Sequence, residues 1–173
     1  MILMTTLTAV RDVGSPYFRG KPSRIHYPGK EIAHQTEDVW HSRFSETCPN
    51  LAGEWWLTGC VAAYGNDDPN IYCHVSPDDF NQGDILSTWS DRDDLNRKGG
   101  ICLWNENHYN GGIPPQLLEQ YPAAEILPTK VIPFLTGADI PPLRLGMAIV
   151  PPPGQAKNKT NISSSPIKQG TSP

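Results

Sequence analysis

A mainly β domain, a β-sandwich or partly open barrel with a few short helices and an extended proline-rich C-terminal arm, is the fold class this sequence predicts. Three observations predict it. Gly 15 and Pro 18 among 173 residues exceed average usage and imply many turns and few long helices. Several short apolar or alternating runs, bounded by turn residues, have the length of strands. Residues 151–173 hold no aromatic residue and no acid, so on their own they bury too little surface to offset their ordering entropy.

Taken in order, Ile2 to Val10 is rich in Thr, Leu and Val and reads as a strand. Arg11 to Ile32 is broken by Gly14, Pro16, Gly20, Pro22, Pro28 and Gly29 and reads as a long loop or arm. Thr36, followed by Glu37 and Asp38 and then by Trp40 and Phe44, predicts a short helix over about 37–46. Glu54 to Tyr64 predicts a strand, and Ile71 to Val75 a second, joined around Asp67 and Asp68 as an antiparallel hairpin. That register sets Cys60 and Cys73 within one residue of symmetry about Asp67, as cross-strand thiols.

Ser76-Pro77-Asp78-Asp79 and Ser90-Asp91-Arg92-Asp93 each read as the start of a short helix, the second stopped by Gly99-Gly100. Ile101 to Trp104 predicts a short strand, Asn110-Gly111 a turn, and Pro114 to Tyr121 one or two helical turns ended by Pro122. Twelve of the 18 prolines lie from Pro114 onward, which leaves little room for helix there. Strands are predicted over 125–132 and 143–150; in the latter, Leu143, Leu145, Met147 and Ile149 alternate with Arg144, Gly146 and Ala148 as on a half-buried strand. The organisation is then an N-terminal strand, arm and helix over 1–49, a β-rich core over 50–150, and the arm over 151–173.

Charge is uneven. The net charge is −4, yet no acid follows Asp139, and Arg144, Lys157, Lys159 and Lys168 are the only charged residues beyond it. An acidic body with a basic arm suits contacts between neighbouring subunits; three lysines in the arm are too sparse to favour nucleic acid. Met1 to Met4 lacks the positive flank and length of a secretion signal, and no apolar run approaches a membrane span. The expectation is a chain made in the cytoplasm, with no membrane partner. The acceptor triplets at Asn158 and Asn161 are then incidental.

No motif carries chemistry. Cys48, Cys60, Cys73 and Cys102 include no close pair of the kind structural zinc sites use, and His26, His34, His41, His74 and His108 add no diagnostic spacing. Cys73 and His74 are adjacent, which on a strand turns them to opposite faces. The acids at Asp67-Asp68, Asp78-Asp79 and Asp91 to Asp94 are explained by turns and helix caps, and no glycine-rich phosphate loop or nucleophile elbow occurs. The expectation is no catalytic residue, no metal, no cofactor and no small-molecule ligand.

Five tryptophans are many for this length. Trp55 and Trp56, taken as strand neighbours, face opposite sides, and with Trp104 and Tyr109 they are the candidate exposed aromatics. Two functions follow. The first is a structural subunit of a large assembly, such as a minor, cementing or connecting protein of a virus or phage particle. It would be located in the virion, with other subunits and copies of itself as partners, and contact them through Pro151, Pro152, Pro153, Lys157, Lys159, Ile162, Pro166, Ile167 and Lys168 of the arm. The second is a small binding module that uses its exposed aromatics, for instance on carbohydrate.

Overall fold

The computed structural model describes residues 12–74, 93–115 and 117–155, with the side chains of Cys73 and His74 excepted. The strand expected at Ile2–Val10, the helix start expected at Ser76 and the arm expected beyond Gln155 lie outside these residues.

One open, mixed sheet of six strands forms the centre. Its strands are β1 (Asn50–Glu54), β2 (Asn70–His74), β3 (Gly100–Asn105), β4 (Glu125–Ile126), β5 (Lys130–Ile132) and β6 (Leu143–Val150). The order is β2-β1-β3-β6, with β4 and β5 both pairing with β6. β1 runs parallel to β2 and β3, and β6 is antiparallel to β3. The helices are α1 (residues 12–19), α2 (Gly29–His41), α3 (Trp55–Tyr64), α4 (Asp94–Lys98) and α5 (Leu117–Gln120), and helical residues outnumber strand residues among those described.

Both faces of the sheet are buried. On one, Ile32 and Trp40 of α2 and Leu57 and Val61 of α3 pack on Leu51, Leu103, Leu145 and Met147. On the other, Leu95 of α4 and Leu117 of α5 pack with Tyr121 on Tyr72, Cys102, Trp104 and Val150. Each fully buried aliphatic side chain stabilises by about 1.5–3 kcal/mol relative to exposure. This is why β3 reads as an unbroken apolar run: a strand covered on both faces needs no polar alternation. β6 follows the same logic, and Arg144 alone in it is exposed. A sandwich or barrel is therefore replaced by a layered α/β arrangement, in which helices rather than a second sheet cover the hydrophobic faces.

The largest departure from expectation is at 54–64. Only Glu54 belongs to a strand; Trp55 to Tyr64 is helix, and β1 and β2 are parallel, so the expected antiparallel hairpin between these two segments is not formed. Leu57, Cys60 and Val61 are spaced three and four residues apart, which places them on one helical face against the sheet. Tertiary packing outweighs the strand leaning of Trp, Thr, Cys and Val. Cys60 therefore sits on α3, while Cys73 pairs in register with Gly53 on β1, and the two are not cross-strand neighbours.

The expected loop over 11–32 contains α1, a 3-10 turn (Arg24–His26) and the start of α2, and the helix expected at 37–46 begins at Gly29. Pro28 flanks the helix start and does not break it. Gly29 is required because a Cβ there would lie 2.5 Å from the Tyr64 ring, so α2 and α3 touch at this point. α2 thus belongs to the core and is not a preliminary to it. Elsewhere the reading holds: α4 stops at Gly99, Asn110 and Gly111 turn with positive φ, and strands occupy parts of 71–75, 101–104, 125–132 and 143–150.

Candidate functional site at the carboxyl edge of the sheet

The parallel strands β2, β1 and β3 end on one edge, at His74, Glu54 and Asn105. From β1 the chain passes through α3 to β2 on one side, and β3 lies on the other side of β1. In open α/β sheets such a switch in strand order opens a crevice outside the carboxyl ends, where ligands bind. A crevice of about 680 Å³ lies there. Its floor is Glu54, Trp55 and Trp56, and His108 of the 3-10 turn Glu106–Tyr109 stands beside them. Asp12, Ser15 and Arg19 of α1 also line it, with Arg24 and Tyr27.

Glu54 is the last residue of β1, with its side chain 13% exposed. The Asn105 backbone N–H donates to its Oε1 at 2.8 Å, and His108 Nδ1 lies 3.1 Å from the carboxylate. The hydrogen bond to Glu54 holds the His108 pKa above its ordinary value, outweighing the opposite effect of burial. His108 Nε2 faces Asn105 Nδ2 at 3.4 Å, which fits the tautomer with its proton on Nδ1. The pair bridges the ends of β1 and β3 at the crevice.

The aromatic side of the crevice is layered. Trp55, in the first turn of α3, is 56% exposed. Trp56 packs edge-on to Tyr27 at 6.0 Å, and Tyr27 packs edge-on to Phe134 at 5.2 Å. Arg24 places its guanidinium 5.3 Å from the Trp56 ring centroid, within cation–π range. The Trp56 indole N–H is buried with no acceptor in the protein, so an acceptor supplied by water or ligand would relieve it. Burial raises the Tyr27 pKa, so its hydroxyl stays protonated through the neutral range.

The sequence-predicted aromatics separate. Trp55 and Trp56 share one helical turn and one crevice instead of facing opposite sides. Trp104 is fully buried, its indole N–H donating to the Gly112 carbonyl at 3.1 Å, and Tyr109 packs partly buried on the same cluster. These two are not exposed platforms. Of the arm, Pro151 is buried, and Pro152 lies against the backbone at Gly99; Lys157, Lys159, Ile162, Pro166, Ile167 and Lys168 lie outside the described residues. Glu54, His108, Arg24 and Tyr27 were missed, because nothing local in sequence links them: Glu54 and His108 are 54 positions apart.

The remaining titratable groups have structural roles. Cys48, Cys60 and Cys102 are buried thiols, raised in pKa by that burial, Cys48 to about 12. Thiols held protonated are poor nucleophiles. Glu37 accepts from the Asn66 and Asp67 N–H groups, and Asp67 accepts from Cys48 N–H at 2.7 Å and contacts His41 Nε2 at 3.0 Å. Together they pin the loop between α3 and β2. Among the described residues no group of three or more His, Cys, Asp or Glu is placed to hold a metal, and no helix is long and apolar enough to cross a membrane. No protein-family model, curated protein or solved structure matches the chain.

Proposed function

We propose that this domain is a binding module whose ligand is a saccharide seated in the carboxyl-edge crevice, and that its role is recognition without a chemical step. One observation carries this reading: a solvent-exposed Trp55 stands in a polar crevice at the point of an open α/β sheet where ligands bind. An exposed indole offers an apolar face to a sugar ring, while Arg19, Arg24 and Tyr27 supply hydrogen-bond donors for hydroxyl groups. The test is titration with neutral and acidic oligosaccharides, followed by tryptophan fluorescence and amide chemical shifts. Saturable shifts at Trp55, Trp56 and His108, with affinity lowered about tenfold or more in Trp55→Ala, are expected. Shifts that map elsewhere would refute the assignment.

A second reading, a subunit of a larger assembly such as a virus or phage particle, is favoured by a different surface. Ile25, Tyr64, Val131 and Leu135 are each more than half exposed around two grooves beside the start of α2. Contiguous exposed apolar surface is a mark of interaction sites. Sedimentation velocity over a range of concentrations tests it. Association that Leu135→Asp abolishes supports the assembly role, and a monomer at all concentrations argues against self-contact through this face.

A further inference from the structure

Resting on the saccharide reading of the crevice, we infer that the ligand is an acidic saccharide, bound through a carboxylate on the sugar that Arg24 receives while the ring lies on Trp55. The argument is one of unmet charge. Five charged or titratable side chains other than tyrosine line the crevice: Asp12, Arg19, Arg24, Glu54 and His108. Glu54 is already engaged, since it accepts from Asn105 N–H at 2.8 Å and from His108 Nδ1 at 3.1 Å. The Glu54 carboxylate is thus already committed within the protein. Neither Arg19 nor Arg24 makes an ion pair among the described residues, and Asp12 is the one other acid on the wall.

Among the described residues, two arginines without an ion-pair partner thus face one uncommitted acid, Asp12, within a chain of net charge −4. Position matters as much as sign. Arg24 lies over the Trp56 ring, 5.3 Å from its centroid, in the crevice that the exposed Trp55 also lines. A planar guanidinium matches both oxygens of a carboxylate, a geometry that neutral hydroxyls do not use fully. A uronate presents a carboxylate at the edge of a pyranose ring, where a stacked ring brings it toward Arg24.

The experiment uses the full chain and two probes, trigalacturonate and a glucuronate-containing hyaluronan tetrasaccharide, each compared with its methyl ester by calorimetry at low ionic strength. The ester keeps the ring and loses the charge. In the unaltered protein at least one acid is expected to bind about tenfold or more tightly than its ester, the scale of a charge-assisted hydrogen bond. Arg24→Gln should erase that difference, with the acid losing more affinity than the ester. Arg24→Lys, which keeps the charge without the fork, should fall between them. Arg24 is exposed, and an unchanged circular-dichroism spectrum checks that each variant is folded. Should that check fail for Arg24→Gln, the salt dependence of binding to the unaltered protein decides: acid affinity that does not fall with added salt overturns the inference. Equal affinity for acid and ester also overturns it and leaves the saccharide reading standing. Binding of none of the four probes overturns both.

Discussion

Glu54 owes its low exposure to its place at the end of β1, where the backbone turns directly into α3. His108 meets it there, 44% exposed, and the electrostatic consequence has a definite sign. The His108 pKa is raised in the folded protein, by the hydrogen bond to Glu54 first. The stabilisation this provides is complete below the unfolded value of about 6.5 and is lost as pH rises through the higher folded value. Comparing urea unfolding of the protein with that of Glu54→Gln from pH 5.5 to 8.5 should show the largest difference at the acidic end, shrinking toward pH 8.5. With a partner this exposed the effect should stay under about 1 kcal/mol. A pH-independent difference would mean that the Asn105 N–H contact, and not the imidazolium, is what the mutation removes. At the same scale, Cys48, Cys60 and Cys102 are buried and held protonated, so site-resolved alkylation of the native protein should leave these three largely unmodified until denaturant is added. Rapid native labelling of Cys102 would contradict its zero exposure.

Elements were legible in the sequence where local chemistry and tertiary packing agree. Gly99-Gly100 stops α4 because the chain needs positive φ at both positions, and Asn110-Gly111 turns for the same reason. β3 shows as an apolar strand because it is central and covered, whereas β6, read from its alternation as half-buried, is covered on both faces except at Arg144. α3 did not show, since Trp55-Trp56 and Val61 carry strand propensity, and its helical face, Leu57, Cys60 and Val61, is only visible once the three- and four-residue spacing is weighed above residue type. α2 was displaced because Pro28 and Gly29, breakers in isolation, flank a helix start and permit a close helix contact. The crevice was illegible because it is made at the meeting of α1, β1, α3 and the turn after β3, and topology alone brings them together. The contact of β3 with β6 gives this scale its prediction. Gly146 opposes Trp104 in register, and a Cβ on it would lie 2.2 Å from the indole. Gly146→Ala should cost about 1–3 kcal/mol by overpacking. A smaller loss in chemical denaturation would show that the fully buried Trp104 can shift, which its hydrogen bond to Gly112 opposes.

The whole molecule is a sheet closed on both faces by helices, and among the described residues its two hydrophobic clusters end with Val150. Pro151 is buried, and Pro152 packs where Gly99 has no side chain, so the first residues after β6 belong to the domain. The Gln155 N–H donates to the Pro152 carbonyl at 3.0 Å and closes a turn there. This divides the proline-rich segment differently from its composition, which changes at Pro151. Truncation therefore has two distinct expected outcomes. A chain ending at Gln155 should unfold at the same denaturant midpoint as the full chain, because the described core closes without the later residues. A chain ending at Val150 should lose stability, because it uncovers Val150 and the backbone at Gly99, where α4 gives way to β3. If the chain ending at Val150 is as stable as the full chain, Pro151 and Pro152 contribute nothing to the core, and the domain ends with its last strand. If the chain ending at Gln155 is already destabilised, residues beyond Gln155 contribute to the isolated fold, and a role for them held in reserve for neighbouring subunits loses its basis. If instead the chain ending at Gln155 keeps its midpoint but loses concentration-dependent association, those residues act between molecules, as the assembly reading requires.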